Sequence, residues 1–333
     1  FKNCEAIFIL ILTSRILATK KVSKLINFIR IDIYNRGQNT YYLNRKPIIK
    51  MCRSRAADKE IRMKRISKAE SPVLAGVIRE ESKTAAIAEI KNCVYDGADM
   101  IDLHMSCLKN ADIQTLKEII GSTKLPVLAL NYNKNYDWSD AGYSEQERVK
   151  SFLNAVDAGA AGVDMQGYTF HLPSRDGFCG GDKYSFTKNN PKEVVTDEKI
   201  ISKQCEFIDE IHSRGAEVLL SCHPGIHMST DEVVELALFL ERRSPDIIKI
   251  VTVAENEDEL IESFKTMLTL KREVKTKVSY HTSGVAGRLS RVINPSLGGH
   301  IAFCVDRFNS GSTMEQIDLK TARTTIDSLK RMI

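Results

Sequence analysis

The chain has 333 residues, 43% of them hydrophobic, which is enough for one large core or two ordinary ones. Its net charge of +5 hides an asymmetry: residues 1–70 carry 17 Lys and Arg against 5 Asp and Glu, leaving 31 against 38 over residues 71–333. The body is therefore acidic, which excludes an extended nucleic-acid surface there, and eight cysteines without a Cys-x-x-Cys pair exclude a disulfide scaffold and point to a reduced, cytoplasmic protein.

Residues 1–70 read as a basic N-terminal extension, partly disordered. Their apolar run, Ala6–Leu12, is too short to span a membrane, and a secretory signal, which needs a cationic start, an apolar stretch and a small-residue cleavage site, is the lesser reading of it. Met51 and Met63 are candidate initiators, and no chemistry is assigned to this segment.

From Ser71 the pattern becomes regular. Apolar, β-branched runs at Val73–Ile78, Met100–Leu103, Val127–Leu130, Gly162–Met165, Val218–Leu220, Ile247–Val253, Val278–Tyr280 and His300–Val305 read as strands. Between them, helical spacing covers Lys83–Tyr95, Asp112–Ile120, Ser144–Ala158, Asp197–Ser213, Asp231–Glu241, Glu257–Leu270 and Val285–Val292, with a last helix at Asp318–Met332. Ser144 with Glu147, and Thr230 with Asp231 and Glu232, supply helix caps. Eight strands alternating with eight helices predict a (β/α)₈ TIM barrel over residues 71–333. The first strand is followed by Arg79-Glu80-Glu81-Ser82 rather than a glycine fingerprint, so a dinucleotide site is not expected there. The glycines of Asp176–Gly181 read as turn formers, with a lid as the sharper alternative.

Catalysis in such a barrel belongs at the C-terminal strand ends, which carry Arg79, Asp102, His104, Asn131, Asn133, Gln166, His223, Lys249, His281 and Asp306. Lys249 stands out. It sits mid-strand in Ile247-Ile248-Lys249-Ile250-Val251, where strands are buried on both faces and an ammonium is costly. Burial of that kind turns an amine into a nucleophile, and His223, one strand earlier, supplies a proton-transfer group. The plainer reading of Lys249 is a structural or phosphate-binding group, and its pairing with His223 favours chemistry.

These residues carry a family likeness. The region from about Ser71 to Ile333 resembles type I 3-dehydroquinate dehydratases, (β/α)₈ lyases of the shikimate pathway that work through a lysine imine. That family's Ser-x-His matches Ser221-Cys222-His223, and its imine lysine matches Lys249. Its Thr-Gly-x-x-x-Arg-Leu matches Ser283 to Leu289, with Arg288 on the carboxylate-holding arginine, and its loop Ser and Gln match Ser312 and Gln316. The departures are also definite. Asp102-Leu103-His104 replaces a Glu-x-Arg, Asn131 and Asn135 replace an arginine and the glutamate that orients the histidine, and the insertion Thr169–Thr196 is long.

The likeness implies imine-assisted dehydration of 3-dehydroquinate or a related carboxylated cyclic keto acid, with Lys249 and His223 catalytic and no cofactor. Arg288, Ser312, Gln316, Asp102 and Asn131 would bind substrate, and Asn135 would orient the histidine. No nucleic-acid or membrane partner is expected, and a homodimer is compatible. Three alternatives stand beside it: an aldolase-like C–C lyase using the same lysine; a metal-dependent barrel hydrolase or isomerase built on Asp102, His104, His223 and His281; and a non-catalytic metabolite-binding barrel.

Overall fold

A computed structural model describes residues 65–132, 144–171, 184–187, 194–308 and 315–332. Contacts divide the chain into residues 1–56 and 57–333. The strands of the second unit are β1 (Val73–Ile78), β2 (Met100–His104), β3 (Val127–Leu130), β4 (Gly162–Gln166), β5 (Glu217–Cys222), β6 (Ile247–Val253), β7 (Lys277–Ser283), β8 (Ile301–Val305) and a short β9 (Ile317–Asp318). Its α-helices are α1 (Lys83–Tyr95), α2 (Ile113–Ile120), α3 (Glu145–Ala158), α4 (Glu198–Ser213), α5 (Thr230–Glu241), α6 (Glu257–Glu273), α7 (Ser290–Leu297) and α8 (Leu319–Lys330).

All ladders are parallel, in the order β7-β6-β5-β4-β3-β2-β1-β8-β9. The circle closes without a full β7–β8 ladder. His300 N donates to Val278 O at 2.8 Å, and Ile301 N donates to the Ser279 hydroxyl at 2.8 Å. The expected (β/α)₈ architecture is what the chain forms, with β9 added against β8.

The helices start where side chains can take their unpaired N–H groups. Ser82, Asp112, Asn256 and Asp318 cap α1, α2, α6 and α8, and Ser144 closes a capping box with Glu147. At α5 the cap is Ser229, with Glu232 completing the box, one residue ahead of the expected Thr230. Thr230 is already helical, and its hydroxyl meets that of Thr266 on α6 at 2.9 Å. The helix expected at Val285–Val292 also shifts. Gly284 turns the chain sharply at φ +88°, where a Cβ would lie 2.7 Å from Ala254 O, a 3-10 turn follows at Gly287–Leu289, and α7 begins only at Ser290.

Two apolar layers result. Outward-facing strand residues such as Leu74, Leu103, Leu220 and Ile248 pack with Ile90, Phe152, Phe207, Leu236, Leu270 and Ile326 of the helices. Inside the barrel, Val73, Ala75, Val77, Met100, Leu128, Leu219, Ile247, Ile301 and Phe303 form a second cluster. Ile66, from a 3-10 turn ahead of β1, is buried in that inner cluster and completes the floor. Ser67 donates to Glu217 through both its N–H and its hydroxyl, and His300 Nε2 lies 2.9 Å from Ile66 O, so Ile66 and Ser67, which the sequence pattern places in the N-terminal extension, belong to the barrel floor.

Among the described cysteines Cys93, Cys205 and Cys304 are free thiols, and burial pushes Cys93 and Cys304 up to about 12. Among the described residues no helix is long and apolar enough to cross a membrane.

Candidate active site

Strand alternation decides which side chains reach the mouth, because only every second residue points into the barrel. Continuing upward from the inner apolar cluster, the inward positions are Asp102 and His104 on β2, Leu130 and then Tyr132 past the end of β3, and Asp164 and Gln166 on β4. Ser221 and then His223 follow from β5, Lys249 from β6, Ser279 and His281 from β7, and Phe303 from β8. Above an apolar floor the barrel therefore becomes polar and aromatic.

Lys249 lies at the centre of this set, 6% exposed. Its Nζ is 3.2 Å from an oxygen of the fully buried Asp164 and 4.4 Å from the centre of the Phe303 ring. It also donates toward the Tyr132 hydroxyl at 3.4 Å. The same hydroxyl stands 3.4 Å from His223 Nε2, and the Tyr132 ring meets the His223 and His104 rings edge-on at 5.7 and 6.0 Å. Lys249 and His223 are thus joined through one phenol. The ion pair, the cation–π contact and the hydrogen bond together make a buried ammonium tolerable.

Asp164 is held in turn. Its second oxygen accepts from the Ser221 hydroxyl at 2.5 Å and from Gln166 Nε2 at 3.3 Å. Gln166 is held by Arg148, which is 1% exposed although charged. The Arg148 guanidinium forks onto Glu145 through two bonds of 2.8 Å and also donates to Asn131 O and the Thr169 hydroxyl. Such a bidentate buried guanidinium is a rigid support, and it fixes the β4 end from behind.

Across the mouth, His281 is 6% exposed. Burial, reinforced by Arg291, Lys249 and His223, pushes its pKa well below the ordinary histidine value. It is a neutral ring in the physiological range. His104 Nε2 lies 3.5 Å from Asp102, both side chains being buried.

The other predicted residues are placed as follows. Asn131 has the opposite parity to Tyr132 and faces α3, where it donates to the Ser151 hydroxyl at 2.9 Å, so the structure does not bring its side chain to Lys249. Arg288 is exposed on the 3-10 turn after β7 and lines an open groove with Glu255, Gly284, Val285 and Glu315. Arg291, one helical turn on, is largely buried and lies 3.8 Å from Glu315, which also accepts from Gly284 N. Gln316 is buried beside β9. Asn133, Asn135, Ser312 and the Asp176–Gly181 turn lie outside the described residues. Among the described residues no three His, Cys, Asp or Glu side chains converge as a metal-holding group, so Asp102, His104, His223 and His281 do not assemble as a ligand set. Asp164 and Tyr132 were missed from sequence. Asp164 carried the same signal as Lys249, a charge inside an apolar strand run, and Tyr132 was findable by counting two residues on from Leu130.

Comparison with known proteins bears on this geometry. Residues 192–332 match the family model for type I 3-dehydroquinase. The chain is 30% identical over 115 residues to the 3-dehydroquinate dehydratase of Coxiella burnetii, a match spanning 33% of this chain and about half, 47%, of that relative's length. Over 252 residues it is 22% identical to the 3-dehydroquinate dehydratase of Methanobrevibacter smithii, spanning 75% of this chain and 92% of the relative. Among solved structures it resembles the type I 3-dehydroquinate dehydratase of Clostridium difficile at a TM-score of 0.64 and 15% identity, over 80% of this chain and 95% of that one. The chain folds as the type I 3-dehydroquinate dehydratases do, and the part of it that matches the type I 3-dehydroquinase family model, residues 192–332, holds both His223 and Lys249.

Proposed function

We propose that the protein is a Schiff-base lyase that dehydrates 3-dehydroquinate, or a closely related carboxylated cyclic keto acid, to the corresponding enone. The observation that carries this reading is the placement of Lys249 Nζ and His223 Nε2 on either side of one hydroxyl at the barrel mouth, each 3.4 Å from it. A buried amine and an imidazole at one point are the two groups an imine-assisted elimination requires.

The Lys249 amine forms an imine with the ketone, which then serves as an electron sink. His223 removes the adjacent proton to give an enamine, and returns it to the β-hydroxyl as the C–O bond breaks and water leaves. Hydrolysis of the imine frees the product and the lysine. Arg288, with Ser312 and Gln316 from the segment after β8, holds and covers the carboxylate in this reading. Asp102 reads a ring hydroxyl, as does Asn131 if its side chain turns from Ser151, and Asn135 orients the histidine. The enzyme acts in the cytoplasm without an organic cofactor or nucleic-acid partner, and the basic segment ahead of Ile66 is an accessory extension to the barrel.

The test is incubation with 3-dehydroquinate and borohydride followed by peptide mass spectrometry. The expected result is one reduced adduct, on Lys249. An adduct confined to another lysine, or turnover with no adduct at all, overturns the reading.

A further inference from the structure

The Tyr132 hydroxyl does more than fill the space between two catalytic groups. It is within hydrogen-bonding distance of both Lys249 Nζ and His223 Nε2, at 3.4 Å each, and those two atoms have no shorter bridge between them among the described contacts. Tyr132 is 4% exposed, and its ring is flanked by two imidazoles edge-on, which holds the hydroxyl between the two nitrogens. The polarity of the chain runs one way: the ammonium only donates, the phenol accepts and donates, and an unprotonated imidazole nitrogen accepts.

We infer that Tyr132 is a catalytic residue, the proton relay through which the Lys249 imine is made and broken. This rests on the imine reading above and adds to it a group that carries protons between nitrogen and the departing oxygen. Written from the ammonium form, Lys249 and a ketone give the protonated imine and water. Lys249 first passes one proton to the Tyr132 oxygen as Tyr132 passes its own to His223 Nε2, and the nitrogen lone pair is freed. The nitrogen attacks carbon, and the carbonyl π pair moves onto oxygen.

That oxygen takes a second proton from nitrogen through Tyr132, giving the neutral carbinolamine. The proton held by His223 then returns through Tyr132 to the hydroxyl. The C–O bond breaks with its pair leaving on water, and the nitrogen pair closes the C=N bond. Nitrogen has lost two protons, water has gained both, and the phenol and imidazole end as they began. Asp164, 3.2 Å from Nζ, stays a carboxylate throughout and stabilises the cationic nitrogen at either end of the sequence.

The relay separates two jobs that His223 would otherwise do alone. Imine formation runs through Tyr132, with His223 as its far terminus, while removal of the substrate's ring proton belongs to His223 directly. Tyr132→Phe keeps the buried ring and deletes only the hydroxyl, so it addresses the first job.

The experiment follows reductive labelling of Lys249 at saturating cyanoborohydride by peptide mass spectrometry, with two probes, 3-dehydroquinate and pyruvate, on the parent chain and on Tyr132→Phe. The expected result is labelling about 100-fold slower in Tyr132→Phe with both probes, at the low end of what a positioned proton-transfer group contributes. Equal rates in the two proteins with either probe overturn the inference. Labelling of the parent by pyruvate and not by 3-dehydroquinate overturns the proposed substrate and leaves the Tyr132 comparison standing on pyruvate. Labelling of Lys249 by neither overturns both. A proton inventory of pyruvate labelling on the parent needs no variant: a curved dependence on deuterium fraction supports two protons in flight, and a straight line overturns the relay.

Discussion

Asp164→Asn asks whether the barrel tolerates a central lysine only because a carboxylate faces it. The substitution keeps size and shape, and leaves the amide oxygen able to accept from Ser221, the 2.5 Å bond. What it removes is the charge 3.2 Å from Nζ, in a pair whose side chains are 8% and 0% exposed. Breaking a buried pair by removing one partner costs about 3–5 kcal/mol, because the remaining ion is left uncompensated. For a domain of this size about 1 kcal/mol moves the melting temperature by roughly 2–4 °C, so a fall of about 10 °C is expected. Lys249→Met, which removes the ammonium and leaves Asp164 with its other two donors, should cost less. The double variant should recover most of the loss seen in Asp164→Asn. Urea and thermal melts of the four proteins form a double-mutant cycle, and the coupling energy is read directly. Additive losses, or a cost below about 1 kcal/mol for Asp164→Asn, would show that water or rearrangement takes over the carboxylate's role and that the pair does not hold the site together.

His281 is held neutral by burial and by the positive groups around it, so its folded pKa lies below the unfolded value near 6.5. The unfolded chain then binds a proton that the folded chain refuses, and stability falls as pH drops below about 6.5, by up to about 1.4 kcal/mol per pH unit. His281→Gln should flatten that acid limb by one proton in melts taken between pH 5 and 7, and an unchanged slope would refute the assignment. Arg148→Lys should lower stability by about 2–3 kcal/mol although charge is kept, because a lysine cannot fork onto Glu145 while also reaching Gln166 and Thr169. A melt within 1 °C of the parent would show that the guanidinium is not the support described.

Much of the barrel was legible because its signals are local. Alternation of β-branched runs with helical spacing placed all eight strands to within three residues, and capping pairs such as Ser144 with Glu147 marked helix starts. Lys249 and His223 were legible for a related reason: a charge inside a run buried on both faces has no packing explanation, and a histidine ending the neighbouring run shares its end of the barrel. Asp164 obeyed the same rule as Lys249 but stood in a shorter, glycine-led run, where a carboxylate passes for an ordinary strand-end group.

What the chain alone determined, then, is the period of each segment, because strand and helix periodicity are written in neighbours a few residues apart. What only the tertiary structure decided is which side chains meet. Asn131 and Tyr132 are adjacent in sequence, yet one bonds Ser151 on the outer helix layer and the other bridges Lys249 and His223 inside, since successive strand residues face opposite sides. The pairing of Lys249 with Asp164, 85 positions apart, depends on β5 lying between β6 and β4 and on the register that brings both inward at one height. That register is set by closing the sheet into a barrel, a property of all eight strands together and of no single stretch of sequence.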